Sequence, residues 1–123
     1  MEVKSYQDLT VWKKAMDLAE QCYHLTRTFP REELFGMTSQ IRRAAASIPA
    51  NIAEGWGRAG TAEYMQFLRV AQGSLKELET HLLLSQRVGL AKPEKTKPLL
   101  SLCTEVGKML NALRGSLKRK KNG

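Results

Sequence analysis

Two opposed helix faces run through the stretch from Gln40 to Gly55, and few folds accommodate both. Ile41, Ala45, Ile48 and Ile52 recur at steps of four, three and four, the period of one face of an α-helix, and Ala44 widens that face. Gln40, Arg43, Ser47, Asn51, Glu54 and Arg58 recur on the far side, so one helix over 38–56 carries an apolar stripe and a continuous polar one. Pro49 lies inside the pattern, where it removes the amide that would bond to the carbonyl of Ala45 and predicts a kink. Such an interruption costs about 3 kcal/mol, which neighbouring packing must offset. Ala44, Ala45, Ala46, Ala50 and Ala53 let another backbone come close, so this segment is expected to make the tightest helix crossing.

The same period recurs before and after. Val3 and Tyr6 belong to a lead-in that docks on the helices, and Asp8 caps a first helix over 9–28. In that helix Leu9, Trp12, Met16, Ala19, Tyr23 and Thr26 form one row, and Val11, Ala15, Leu18, Cys22, Leu25 and Phe29 a second. Pro30 ends it. Arg31 to Gly36 reads as a connection that tucks Leu34 and Phe35 into the core, with Gly36 in a left-handed turn and Thr38 or Ser39 capping the second helix. Gly55, Gly57 and Gly60 supply turn residues, and Trp56 a partly buried lid. Thr61 caps a third helix over 61–88, whose row is Tyr64, Leu68, Ala71, Leu75, Leu78, Leu82 and Ser85, and Gly89 ends it. Pro93 suits the first position of a fourth helix over 94–118, although Pro98 favours a regular start nearer Lys97. Leu99, Cys103, Val106, Leu110, Leu113 and Leu117 then continue its row, with Gly107 and Gly115 weakening the helix or marking close contacts. A basic tail over 118–123 is expected to fray.

Four amphipathic helices with short links and no strand signal imply an all-α protein: one domain over 1–123, an antiparallel up-down-up-down four-helix bundle. Its broad apolar faces should leave area uncovered, so a homo-oligomer is expected. No apolar run approaches the ~20 residues of a membrane span and no signal-peptide pattern opens the chain, which predicts a cytoplasmic protein without a membrane partner. Cys22 and Cys103 each fall on an apolar face and read as reduced core thiols.

The formal charge is +8, and the segment from Lys108 to Gly123 holds six of those net charges, as Lys108, Arg114, Lys118, Arg119, Lys120 and Lys121, with no acid among them. Such a basic end suits phosphate backbones or an acidic protein surface, and equally a solvated terminus that aids solubility.

Enzymatic motifs fail on context. Gly55-Trp56-Gly57-Arg58-Ala59-Gly60 matches the dinucleotide fingerprint, but that pattern works after a strand, and here a helix precedes it. The start of the third helix, with Arg58 nearby, would at most hold a phosphate oxygen. Glu77 lies one turn before His81 and Glu79 two residues before it, so neither stands at the Glu-x-x-His spacing, and the matching second set of a two-metal bundle is missing as well. His24 stands alone. Ser47, Ser74 and Ser85 lack a His–carboxylate pair, and neither cysteine has a nucleophile signature. The expectation is no catalytic residue, no metal and no cofactor.

Several segments carry a resemblance: Val11-Trp12-Lys13-Lys14-Ala15, Phe29-Pro30 with Glu33-Leu34-Phe35-Gly36, Gln40-Ile41-Arg42-Arg43-Ala44-Ala45, Ser47-Ile48-Pro49-Ala50-Asn51-Ile52-Ala53-Glu54-Gly55, and Gly73-Ser74 with Glu77-Leu78-Glu79. Over nearly the whole chain these resemble the 23S ribosomal RNA intervening-sequence protein family. The resemblance implies a four-helix bundle assembled into a ring-like homopentamer. It also implies similarity to the accessory protein of diversity-generating retroelements, which binds a reverse transcriptase and nucleic acid.

Two functions follow as expectations: a non-enzymatic scaffold that holds RNA or DNA, above all structured RNA, by its phosphates, or an adaptor for a protein such as a reverse transcriptase. The candidate binding residues for either are Arg42, Arg43, Arg58, Arg114, Lys118, Arg119, Lys120 and Lys121. Adjacent helix residues point about 100 degrees apart, so Arg42 and Arg43 do not act as one clamp, and only Arg43 shares the polar stripe. Asn51, Glu54 and Arg58 read first as a local hydrogen-bonded ladder, and Trp12, Tyr23 and Tyr64 as core rather than base-stacking platforms.

Overall fold

The apolar rows become four helices in the computed structural model, which describes the backbone of residues 2–122 and the side chains of residues 2–120. They are α1 (Thr10–Thr26), α2 (Met37–Trp56), α3 (Thr61–Arg87) and α4 (Pro93–Asn122), with short 3-10 turns at Tyr6–Asp8 and Arg31–Glu33. Among the described residues there is no strand, and no helix is long and apolar enough to cross a membrane. Each helix packs against two others, α1 on α2 and α4, α3 on α2 and α4, an arrangement that fits a four-helix bundle. The side chain of Lys121, and Gly123, from the expected basic tail, lie outside the described residues.

One core runs through all four helices. The row Val11, Ala15, Leu18, Cys22, Leu25 and Phe29 is buried throughout, whereas its neighbour on α1 leaves Met16 and Tyr23 44% and 38% exposed. Ile41, Ala44, Ala45, Ile48 and Ile52 of α2 meet Leu68, Ala71, Leu75, Leu78 and Leu82 of α3, and Leu99, Cys103, Val106 and Leu110 of α4 close the cluster. A side chain of this size contributes roughly 1.5–3 kcal/mol when fully buried.

Helix ends depart from the expected caps. Asp8 accepts hydrogen bonds from the amides of Lys4 (2.9 Å) and Ser5 (3.1 Å), so it closes the preceding turn, and Leu9 stands at the start of α1 without a side-chain bond. At α2 the cap position falls to Gly36, whose φ of −109 is not left-handed, while Glu33 Oε1 accepts the Met37 amide at 3.1 Å. Gly60 (φ −105, ψ 144) holds the extended backbone that a cap requires, which makes Thr61 the first helical residue of α3. The left-handed turn occurs instead at Gly89, with φ 81.

Leu34 and Phe35 are 46% and 93% exposed, because the turn that carries them projects away from the core. Gly55 is no turn residue: it is buried within α2, and a Cβ built there would lie 2.8 Å from Phe67 Cβ and 3.2 Å from the Tyr64 carbonyl oxygen. Gly55 thus marks a close approach to α3 at the end of this segment, and of its alanines Ala44 and Ala45 are buried in the core while Ala46 and Ala50 face solvent. At α4 the helix starts before Pro98, since buried Thr96 donates to Gln86 Oε1 (2.7 Å) and to the Pro93 carbonyl (3.2 Å), tying the first turn to α3. At its far end α4 continues as helix through Asn122 rather than fraying after Leu117. Leu113 and Leu117 pack on the core, and Lys and Arg are good helix formers that sit favourably at the negative end of a helix dipole.

Candidate nucleic-acid interface

The apolar side of α4 fixes where its charges stand. With Val106, Leu110, Leu113 and Leu117 turned toward the core, Lys108, Lys118, Arg119 and Lys120 are left exposed. None of these four is in an ion pair among the described residues, and the last acid of the chain, Glu105, is engaged by Lys14 of α1 at 3.3 Å. Arg119 lies back along its own helix: a Cβ at Gly115 would be 3.4 Å from its Nη1. Arg114 is half-buried, with its Nε enclosed and without a hydrogen-bond partner. Uncompensated cations on one rigid element set up a positive field that attracts phosphate.

The other candidate arginines do not join this surface. Half-buried Arg42 donates from Nε to Thr26 Oγ1 at 2.9 Å and holds its guanidinium 4.7 Å from the Tyr23 ring centre, locking α2 to α1. Thr26 in turn donates to the Cys22 carbonyl at 2.9 Å, so the donor–acceptor chain closes within the protein. Arg58 pairs with Glu54 at 2.7 Å and covers the Phe67 ring at 5.0 Å. Arg43 is exposed on the polar side of α2, on a different helix from the basic face.

Asn51 does not extend the Glu54–Arg58 pair. Its Nδ2 donates to the Ser47 carbonyl (2.8 Å) and to Ser47 Oγ (2.9 Å), and Ser47 Oγ lies 2.8 Å from Ser74 Oγ of α3. Part of the polar stripe on α2 is thus a seam against α3. Ser47 was legible as a stripe member; its partner Ser74 was not, because only the helix crossing brings the two together.

The two histidines and Glu79 form local pairs. His81 Nε2 is 3.9 Å from Glu77, Glu79 pairs with Lys76 at 3.1 Å, and His24 sits 3.6 Å from Glu20. Cys22 and Cys103 are free buried thiols, and burial pushes both up to about 12. Between α1 and α2 runs an open apolar groove of about 440 Å³, lined by Tyr6, Trp12, Met16, Tyr23, Pro49 and Ala53 among others. Tyr6 forms its end by meeting Trp12 edge-on at 5.2 Å.

The chain is similar in structure to a crystallised protein of unknown function from the S23 ribosomal protein family of Bacteroides thetaiotaomicron, with a TM-score of 0.77 and 26% identity over 85% of this chain and 98% of that one. No curated protein matches. The family described as 23S rRNA-intervening sequence protein matches residues 7–112, which takes in α1, α2, α3 and the first two-thirds of α4 and stops short of Arg114. On that match the chain belongs to the 23S rRNA-intervening sequence protein family.

Proposed function

We propose that this chain is a non-enzymatic, oligomeric nucleic-acid-binding scaffold that contacts structured RNA through the basic face of α4. The observation that carries the reading is that face itself: exposed Lys108, Lys118, Arg119 and Lys120, with no acid after Glu105. Membership of a family described by an RNA intervening sequence agrees with it. The proposed site comprises these residues with Arg114 and Lys121, while Arg43 offers a separate cation and Arg42 and Arg58 act mainly in packing.

The proposal includes an antiparallel up-down-up-down arrangement. Its support is the descending order of partners: Ser47 with Ser74 but Gly55 against Phe67, Gly107 against Leu75 but Thr96 with Gln86. Assembly of copies into a homo-oligomeric ring, pentameric by family resemblance, is supported by apolar surface left on each copy, above all Phe35, Val88 and the α1–α2 groove. A cytoplasmic location accompanies this reading. The same groove favours a second reading, an adaptor that docks a protein partner such as a reverse transcriptase.

The test is anisotropy of a labelled structured RNA at ~50 and ~200 mM salt, beside a variant with Lys118, Arg119, Lys120 and Lys121 changed to Gln and matched in oligomeric state. Four neutralised phosphates would weaken binding roughly 100-fold between the two salts, and the variant should lose most of that dependence. If the unaltered protein fails to bind RNA at low salt, the scaffold reading falls and a search for a protein partner takes its place.

A further inference from the structure

We infer that copies of this chain join by seating the turn before α2, led by Phe35, in a cavity between α1 and the start of α4 of the next copy; the inference rests on the assembly reading above and names its contact. Phe35 is 93% exposed, the most of any large apolar side chain among the described residues. Aromatic side chains are enriched at the cores of protein contacts, and one left in water forgoes burial of about 150–250 Å². The cavity encloses about 610 Å³, within the range of pockets that hold a ligand, and Leu25, Leu90, Pro98 and Leu99 give it an apolar lining. At its rim Lys92 and Lys95 are exposed and in no ion pair among the described residues. Glu94 stands between them as the one acid that lines the cavity.

The turn carries the complementary charges. Glu33 is engaged at home, accepting the Met37 amide, whereas Glu32 is exposed and unpaired among the described residues and suits Lys92 or Lys95; exposed Arg31 suits Glu94. Turn and cavity also lie at one end of the molecule. Thr28 and Ala91 both line the cavity, so the end of α1 stands beside the α3–α4 link, and the chain reaches Phe35 from Thr28 through one short turn. Val88, the next most exposed large apolar side chain at 60%, is on that same link. Two patches at one level carry a copy onto the next by rotation with little rise, so the contact closes on itself instead of growing into a filament. The groove between α1 and α2 is a poorer seat. It reaches down α1 from Tyr23 to Trp12, ~16 Å away from that end, and its one charged lining residue is Glu20, which would meet Glu32 with like charge.

Light scattering of the full chain across a dilution series tests this contact. Phe35→Ser should raise the concentration at which copies assemble by at least ~10-fold and leave helical circular dichroism unchanged, since the side chain packs on nothing within its own copy. Lys92→Glu with Lys95→Glu, on the cavity rim, should do the same. Each of these variants keeps the half that the other lacks, so mixed in equal amounts they should form one-to-one pairs and nothing larger. Ala50→Glu, in the α1–α2 groove, should assemble like the unaltered chain. Assembly of Phe35→Ser at the unaltered concentration, or failure of the two variants to pair, overturns the inference and leaves the ring reading standing. Loss of assembly confined to Ala50→Glu overturns it as well and moves the contact to the groove. An unaltered chain that stays single at every concentration ends both readings.

Discussion

Arg42 illustrates how little a cation's identity says about its use. Its guanidinium lies between Thr26 and Tyr23, an arrangement that bridges two helices and covers an aromatic face. Arg42→Ala should therefore lower stability by about 1–2 kcal/mol, from the lost hydrogen bond and cation–π contact. RNA affinity should stay within twofold, as checked by thermal unfolding and anisotropy on the same preparation. Gly55 makes the opposite point, that the absence of a side chain can be the functional property. Alanine usually strengthens a helix by up to ~1 kcal/mol over glycine, but here its methyl would meet Phe67 Cβ at 2.8 Å. Overpacking of this kind costs about 1–3 kcal/mol, so Gly55→Ala should reduce the melting temperature by several degrees, whereas the same change at open Gly73 should raise it.

At the scale of elements, most of the fold was legible because the burial period of a helix is a local property. The rows through Val11 to Phe29 and Tyr64 to Ser85 could be read from spacing alone, and every member is buried except half-buried Tyr64. Their ends were less legible, because caps depend on which backbone leaves the helix first. Gly36 and Gly60 take positions that side-chain preference assigns to Thr38 and Thr61. Of the candidate site, the basic run was visible as composition, but its helical order depends on Leu113 and Leu117 finding the core. The internal use of Arg42 depends on Thr26, brought close only by the path of the intervening turn. The start of α4 hangs on a similar long-range bond, Thr96 to Gln86 at 2.7 Å. Thr96→Val should leave Gln86 Oε1 without that donor, cost about 1–3 kcal/mol, and speed amide hydrogen exchange in the first two turns of α4 while leaving the middle of α3 protected.

The whole molecule has a built-in sensitivity to alkali. Burial raises Cys22 and Cys103 from 9.0 to about 12, and raises the Tyr64 phenol from 10.0. Above pH 9 the unfolded chain releases thiol protons that the folded chain retains, so the stability associated with the buried neutral thiols is complete below that pH and is lost as pH rises toward 12. Urea unfolding should show a lower midpoint at pH 10.5 than at pH 8, and Cys22→Ala with Cys103→Ala should flatten that difference. Both thiols should resist a water-soluble disulfide reagent at pH 8 until the chain is unfolded. A different consequence follows from α4 holding its charges on a continuous helix out to Asn122. With six of eight net charges gathered from Lys108 onward, the protein has its positive charge concentrated toward the end of that helix. In the field of a polyanion it turns before it touches, arriving with that end foremost, so the orientation of the encounter is selected at long range and is lost to tumbling when salt shortens the reach of the field.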